Sequence, residues 1–129
     1  MSDQIRVLLV DDEPDFIEMT AKRLARRGFS VEQAGDCGEG LAKLAAGPVD
    51  VVVLDVMLPD LDGVQCLRKM KEGWPAVAVI LLTGHASIPV GLQSVEFGAN
   101  DYCLKPIEFE ELVEKIQIAH AENRGLAAG

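Results

Sequence analysis

Four aliphatic runs in this chain each end in residues that can do chemistry. Asp11-Asp12-Glu13 follows Ile5 to Val10, Asp55 follows Val49 to Leu54, Thr83 follows Val77 to Leu82, and Lys105-Pro106 follows Tyr102 to Leu104. Each has an ordinary use when taken singly. Asp12 or Glu13, just before Pro14, suits a helix N-cap. Asp55 could accept hydrogen bonds in a turn, Thr83 could open a helix, and Lys105 could be a solvated surface charge. Together they suggest something else, provided the fold brings them into one place. Three carboxylates within a few Å of one another repel, and raise one another's pKa unless a cation neutralises them. Hard oxygen donors without His or Cys suit Mg²⁺, with Mn²⁺ as the other ion of this kind, and waters completing an octahedron. A lysine opposite such an ion would let the site grip a phosphoryl group from two sides, as phosphoryl transfer requires. One carboxylate could then act as nucleophile and form an acyl phosphate.

The elements that must position these groups can be read from the hydrophobic pattern. The four runs are rich in Val, Ile and Leu without polar alternation, as expected of strands covered on both faces of a parallel sheet. Phe29 to Ala34 is more mixed and reads as an edge strand. Helical spacing fills the intervals. Ile17, Ala21 and Leu24 share one face, with Pro14 at the helix start and Gly28 at its end. Leu41, Leu44 and Ala45 form a second stripe closed by Gly47, and Val64, Leu67 and Met70 a third closed by Gly73. Ile88, Leu92 and Val95 form a fourth ending near Gly98. Phe109, Leu112, Val113, Ile116 and His120 form the last. Strand-helix alternation five times over implies an α/β fold with right-handed crossovers, and helices on both faces of a parallel sheet. Ligands of such sheets bind at the carboxyl edge of the strands, and that edge is where all the chemically capable residues fall.

Bulk properties narrow the function. A length of 129 residues with 49% hydrophobic content suits one domain. Its boundary is expected at 1–122, with 123–129 as a tail or the start of a linker. Twelve Lys plus Arg against 21 Asp plus Glu leave a net charge of −9, which repels phosphate backbones and anionic lipid and argues against direct nucleic-acid binding. Cys37, Cys66 and Cys103 are odd in number and lack a C-x-x-C pair, so three reduced thiols in a cytoplasmic protein are expected. The opening MSDQIRVLLVDDE holds too short an apolar run for a signal peptide or a membrane span.

The stretches RVLLVDDEPDF, VVVLDVMLPDLDG, VILLTGHAS and GANDYCLKPIEFEEL resemble the receiver domain of two-component response regulators, and the resemblance covers nearly the whole chain. It implies a flavodoxin-like (βα)5 fold, a doubly wound five-stranded parallel sheet of order 2-1-3-4-5. By that resemblance Asp55 is the residue phosphorylated by a sensor histidine kinase or phosphotransfer protein. Asp12, Asp55 and the backbone carbonyl of Met57 would ligate Mg²⁺, with Asp11 acting through water. Lys105 would pair with the phosphoryl oxygens and Thr83 would donate a hydrogen bond to them. The Lys105-Pro106 bond matches the family's cis peptide, an isomer that proline makes accessible. The domain would assist its own phosphorylation and dephosphorylation without being an enzyme in the usual sense.

A switch follows from the added charge and acceptor oxygens. Thr83 would be drawn inward, leaving space for an aromatic side chain, and Tyr102 stands at the switch-aromatic position. The surface formed by the Ile88–Val95 segment, the Tyr102 strand and the last helix would then change shape for output, either to an output domain or to a second copy in a phosphorylation-dependent homodimer. Pro89 and Gly91 depart from an ideal helix near the start of that segment. Met57 and His85 stand near the site mouth, where they could tune the lifetime of the phosphorylated state. Two rival enzymes or carriers fit poorly. A haloacid-dehalogenase phosphatase needs a second acid two residues after its nucleophile, where this chain has Met57. A flavodoxin cradles phosphate in a hydroxyl-rich loop, where this chain has Asp11-Asp12-Glu13-Pro14-Asp15. The remaining alternative is a degenerate receiver acting as a phosphorylation-independent binding module.

Overall fold

The computed structural model describes residues 4–84 and 96–128. The stripe expected at Ile88, Leu92 and Val95, with Pro89, Gly91 and His85, lies outside the described residues. Strands and helices alternate in the order β1 (Arg6–Val10), α1 (Pro14–Arg26), β2 (Ser30–Ala34), α2 (Cys37–Ala46), β3 (Val51–Asp55), α3 (Gly63–Gly73), β4 (Ala78–Thr83), β5 (Asp101–Leu104) and a C-terminal helix (Phe109–Ala128). All neighbouring strands pair in parallel, in the order β2-β1-β3-β4-β5. The mixed segment that reads as an edge strand is the edge strand β2.

Two cores flank the sheet, and the strands divide between them with a period of two. Val7, Leu9, Val51, Val53, Ile80 and Leu82 pack toward α1 and the C-terminal helix. Leu8, Val10, Val52, Leu54, Val79 and Leu81 pack toward α2 and α3. This double coverage explains why the central strands are aliphatic at every position. Pro14 opens α1, where its missing N–H costs nothing, and Gly28 adopts φ 95° just beyond that helix. Asp36 caps α2 by accepting from Glu39 N–H at 2.7 Å, and Asp62 caps α3 by accepting from Val64 N–H at 2.7 Å.

Three sequence expectations differ from the structure. The buried face of α2 is Cys37, Gly40 and Leu44, with Ala45 exposed, because Gly40 lets the helix approach the sheet closely. A Cβ there would stand 3.1 Å from Val10 and 3.3 Å from Met70. On the C-terminal helix the buried stripe continues through Ala119 to Asn123, leaving His120 half-buried. Asn123 donates to the Ala76 carbonyl at 3.0 Å and accepts from Asn100 Nδ2 at 2.8 Å, and the helix runs on to Ala128. The thiols are the third difference. Cys37 and Cys66 are joined in a disulfide, and Cys103 alone is free and buried. Sequence separation hides the pairing, because α2 and α3 lie side by side on one face of the sheet.

Candidate functional site

Strand register assembles the site before any side chain is considered. Val10 pairs with Leu54, so Asp11 and Asp55 leave neighbouring strands at the same level. Asp55 pairs with Leu82, and Thr83 with Leu104, which places Thr83 one step and Lys105 two steps further along the same edge. The ladder continues past the strand ends. Asp11 N–H donates to Ala34 O at 3.0 Å, Val56 N–H to Leu82 O at 3.0 Å, and Lys105 N–H to Thr83 O at 2.7 Å. The Lys105-Pro106 peptide bond is cis.

Asp11 and Asp55 are 4% and 6% exposed, and Asp12 faces solvent. One carboxylate oxygen from each of the three lies within 4.8 Å of the other two. Lys105 reaches across the cluster. Its Nζ stands 2.6 Å from Asp11 Oδ2, 2.8 Å from Glu13 Oε1 and 3.8 Å from Asp55 Oδ1. The same ammonium lies 4.6 Å from the centroid of the Phe16 ring. Asp12, Glu13, Asp55 and Lys105 border a cleft of about 520 Å³ that also touches Met57, Leu58, Asp62 and Gly84. A larger cleft, of about 570 Å³, opens at the opposite edge of the sheet near Trp74 and His120 and includes none of the converging residues.

Electrostatics follow from burial and charge. Burial pushes the Asp55 carboxyl up to about 6, and the nearby Asp11 charge adds to that rise, while Lys105 and the Met57 N–H oppose it. Burial alone would lower the Lys105 pKa, but its hydrogen bonds to Asp11 and Glu13 outweigh this and raise it. The same bond to Lys105 lowers the Glu13 carboxyl. An acid cluster whose central carboxyl is pushed up by burial and by the charge of Asp11 fits a hard divalent cation, since all the donors are carboxylate oxygens. The arrangement can thus hold such a cation, present Asp55 as an oxygen nucleophile, and offer Lys105 to an incoming anion.

The other expected residues are placed as follows. Thr83 is buried at the end of β4, 3% exposed. Met57 lies at the mouth, 63% exposed. Tyr102 is half-buried against the cluster on the α2 and α3 side. Sequence reasoning did not find the Glu13 contact with Lys105, nor the role of Asp60. Asp60 accepts from the N–H groups of Cys37 and Gly38, both at 2.9 Å, tying the β3–α3 loop to the start of α2; these bonds hold its carboxyl low. Gly63 was also missed as a site residue. Its N–H donates to Val56 O at 2.7 Å, and a Cβ there would fall 2.5 Å from Asp55 O. The signal for it was the D-G pair closing the loop after Asp55.

A parallel sheet of order 2-1-3-4-5 with an acidic cluster and a lysine at its carboxyl edge defines the CheY-like class of signalling domain. A family model for the response regulator receiver domain matches residues 7–117, and the chain belongs to that family. It is 41% identical over 113 residues to the transcriptional regulatory protein TrcR of Mycobacterium tuberculosis, covering 88% of this chain and 44% of that protein. The chain spans about half the length of the curated relatives it matches. A CheY-like receiver domain from Methanospirillum hungatei superposes with a TM-score of 0.91 at 33% identity, covering 95% of this chain and 98% of that one. A response regulator from Burkholderia pseudomallei, solved with a phosphorylated aspartic acid, calcium ion and citrate, superposes with a TM-score of 0.84 at 29% identity, covering 97% of this chain and 74% of that one. The chain is therefore a receiver domain of two-component signal transduction, a signalling module rather than a conventional enzyme. Among the described residues no helix is long and apolar enough to cross a membrane.

Proposed function

We propose that this domain accepts a phosphoryl group onto Asp55 from the phosphohistidine of a sensor kinase or phosphotransfer protein. The observation that carries the reading is the position of Lys105 Nζ, 2.6 Å from Asp11 and 3.8 Å from Asp55, at the rim of a cluster of three carboxylates. Asp12, Asp55 and the Met57 carbonyl would hold Mg²⁺ directly and Asp11 through water, with Mn²⁺ a substitute; when bound, the ion offsets the charge of the acids and of the phosphoryl group. A carboxylate oxygen of Asp55 attacks phosphorus as the P–N bond to the donor imidazole breaks, and the product is an aspartyl phosphate. Lys105 leaves Glu13 to pair with the phosphoryl oxygens, and the Thr83 hydroxyl donates to another.

The movement of Thr83 lets Tyr102 reorient and changes the face formed by β5 and the C-terminal helix. That face serves an output domain or a second copy of the chain. Met57 and His85 govern how water reaches the acyl phosphate. The receiver takes in its last helix through Asn123, whose amide packs against Asn100 and the Ala76 carbonyl, so its boundary falls beyond the expected residue 122. The net charge of −9 supports a protein partner rather than direct contact with nucleic acid or anionic membrane, and a cytoplasmic location suits both donor and acceptor. Phosphoramidate, a small donor with the same P–N bond, tests the reading. Borohydride reduction after incubation with Mg²⁺ should convert residue 55 alone into homoserine, read by peptide mass spectrometry. Label at another residue, or at none, would reject Asp55 as the acceptor.

A further inference from the structure

We propose that Cys37 and Cys66 form a redox-reversible cross-link that clamps the loop carrying the acceptor, so that closing it tightens Mg²⁺ binding at the Asp11-Asp12-Asp55 cluster. The proposal rests on the reading of that cluster given above. Its chemical basis is separate from it. The two Cα atoms are 5.9 Å apart, within the span a disulfide bridges without backbone movement, and the sulfurs are bonded. Cys103 has no sulfur partner, and burial pushes its thiol up to about 11, so the redox chemistry belongs to the other two.

The clamp encloses the site. The two cysteines are 29 residues apart, and the ring they close contains all of β3, Asp55, Met57 and the loop up to Asp62. The same two helices are stitched a second time without covalent bonds. Asp60, in the middle of that loop, holds the N–H groups of Cys37 and Gly38 at the start of α2. The start of α3 is tied directly to the backbone beside the acceptor, because Gly63 bonds Val56 O at 2.7 Å and has no room for a Cβ beside Asp55 O. A shift of Cys66, one turn further along α3, is therefore transmitted to the backbone of Asp55 and Met57. A closed bond narrows the range of positions this loop can sample. The Met57 carbonyl and the Asp55 carboxylate are then held nearer the geometry an ion requires.

Both cysteines are at most 1% exposed, so exchange requires opening at a helix end. Cys37 is the first residue of α2, so exposing it requires only the helix end to open, with release of the Asp60 bonds to Cys37 and Gly38 and of the Asp36 cap. In the closing reaction the Cys37 thiolate attacks a low-molecular-weight disulfide and releases one thiolate. The Cys66 thiolate then attacks the mixed disulfide at Cys37 and releases the second. Two electrons and two protons pass from the protein to the reagent, which leaves as two thiols. A dithiol reverses the process. In the cytoplasm, where the domain is placed, disulfides that do form are characteristically transient and redox-sensing, which matches this use.

The test compares the full native chain in dithiothreitol with the chain equilibrated with glutathione disulfide. Alkylation and intact mass report the state of the thiols, and calorimetric titration reports the Mg²⁺ dissociation constant. If the open loop holds the competent geometry for a third of the time, the closed form binds Mg²⁺ about threefold more tightly. Cys66→Ala and Cys37→Ala should show the weaker affinity in both buffers. The native chain supplies the comparison in both states, so the test stands whether or not a variant folds. Equal affinities in the two native states, or a failure of the bond to form, would overturn the clamp while leaving the cluster's role intact. No Mg²⁺ binding in either state would remove the reading of the cluster and the clamp with it.

Discussion

Replacing Asp55 by Asn should stabilise the metal-free domain, and the size of the effect can be worked from its environment. Asp55 is 6% exposed, and its carboxyl is pushed from an ordinary 3.8 up to about 6 by burial first and the Asp11 charge second. Between those values the native state keeps a proton that the unfolded chain has already released. Stability therefore falls as pH rises through this window, and the full cost persists above it. A rise of about 2 units at 1.36 kcal/mol each gives a cost of about 3 kcal/mol, an upper bound because the native loop can relax. Asn carries no charge at any pH. In EDTA, Asp55→Asn should be more stable than the native chain by up to about 3 kcal/mol at about pH 7, and nearly equal to it at about pH 4. Urea unfolding followed by circular dichroism at both pH values measures the difference. Mg²⁺ should largely cancel that difference, since an ion at about 100 times its dissociation constant adds about 2.7 kcal/mol to a native state that binds it. A difference between variant and native chain that is the same at both pH values would refute the reasoning, because it would show that Asp55 carries no buried-charge cost.

Other perturbations separate the parts of the site. Lys105→Met removes a cation that competes for Asp11, so Mg²⁺ should bind more tightly in calorimetry while phosphorylation by acetyl phosphate slows by about tenfold or more. Gly63→Ala would drive a methyl group to 2.5 Å from the Asp55 carbonyl; it should cost about 1–3 kcal/mol in urea unfolding and weaken Mg²⁺ binding together. Asn123→Ala removes the buried amide joining Asn100 to the Ala76 carbonyl at the far edge of the sheet, while Asn100 keeps its bond to Glu122. It should cost about 0.5–1.5 kcal/mol of stability with no change in Mg²⁺ affinity.

The central strands were readable because double coverage makes them aliphatic throughout, and their ends were readable because each run stops at a polar residue. From those two facts the carboxyl edge and its acids follow. The face of α2 was less readable, since a stripe of leucines and alanines does not reveal that Gly40 sets the approach to Val10 and Met70. Asn123 was hidden because a buried amide looks like a tail residue until Asn100 and Ala76 stand opposite it. The cysteines were misread for a similar reason. Their spacing matches no local motif, and only the 2-1-3 strand order puts α2 and α3 together. The Glu13 and Asp60 contacts depend on where a loop carboxylate turns, and hydrophobic periodicity carries no information about that.

The most direct test of the central claim is intact-protein mass spectrometry after incubation with acetyl phosphate, comparing the native chain in Mg²⁺, the native chain in EDTA, and Asp55→Asn in Mg²⁺. The account predicts a single phosphoryl adduct in the first sample, lost under alkaline conditions, and none in the other two. An adduct that forms equally in EDTA or persists in Asp55→Asn would contradict it.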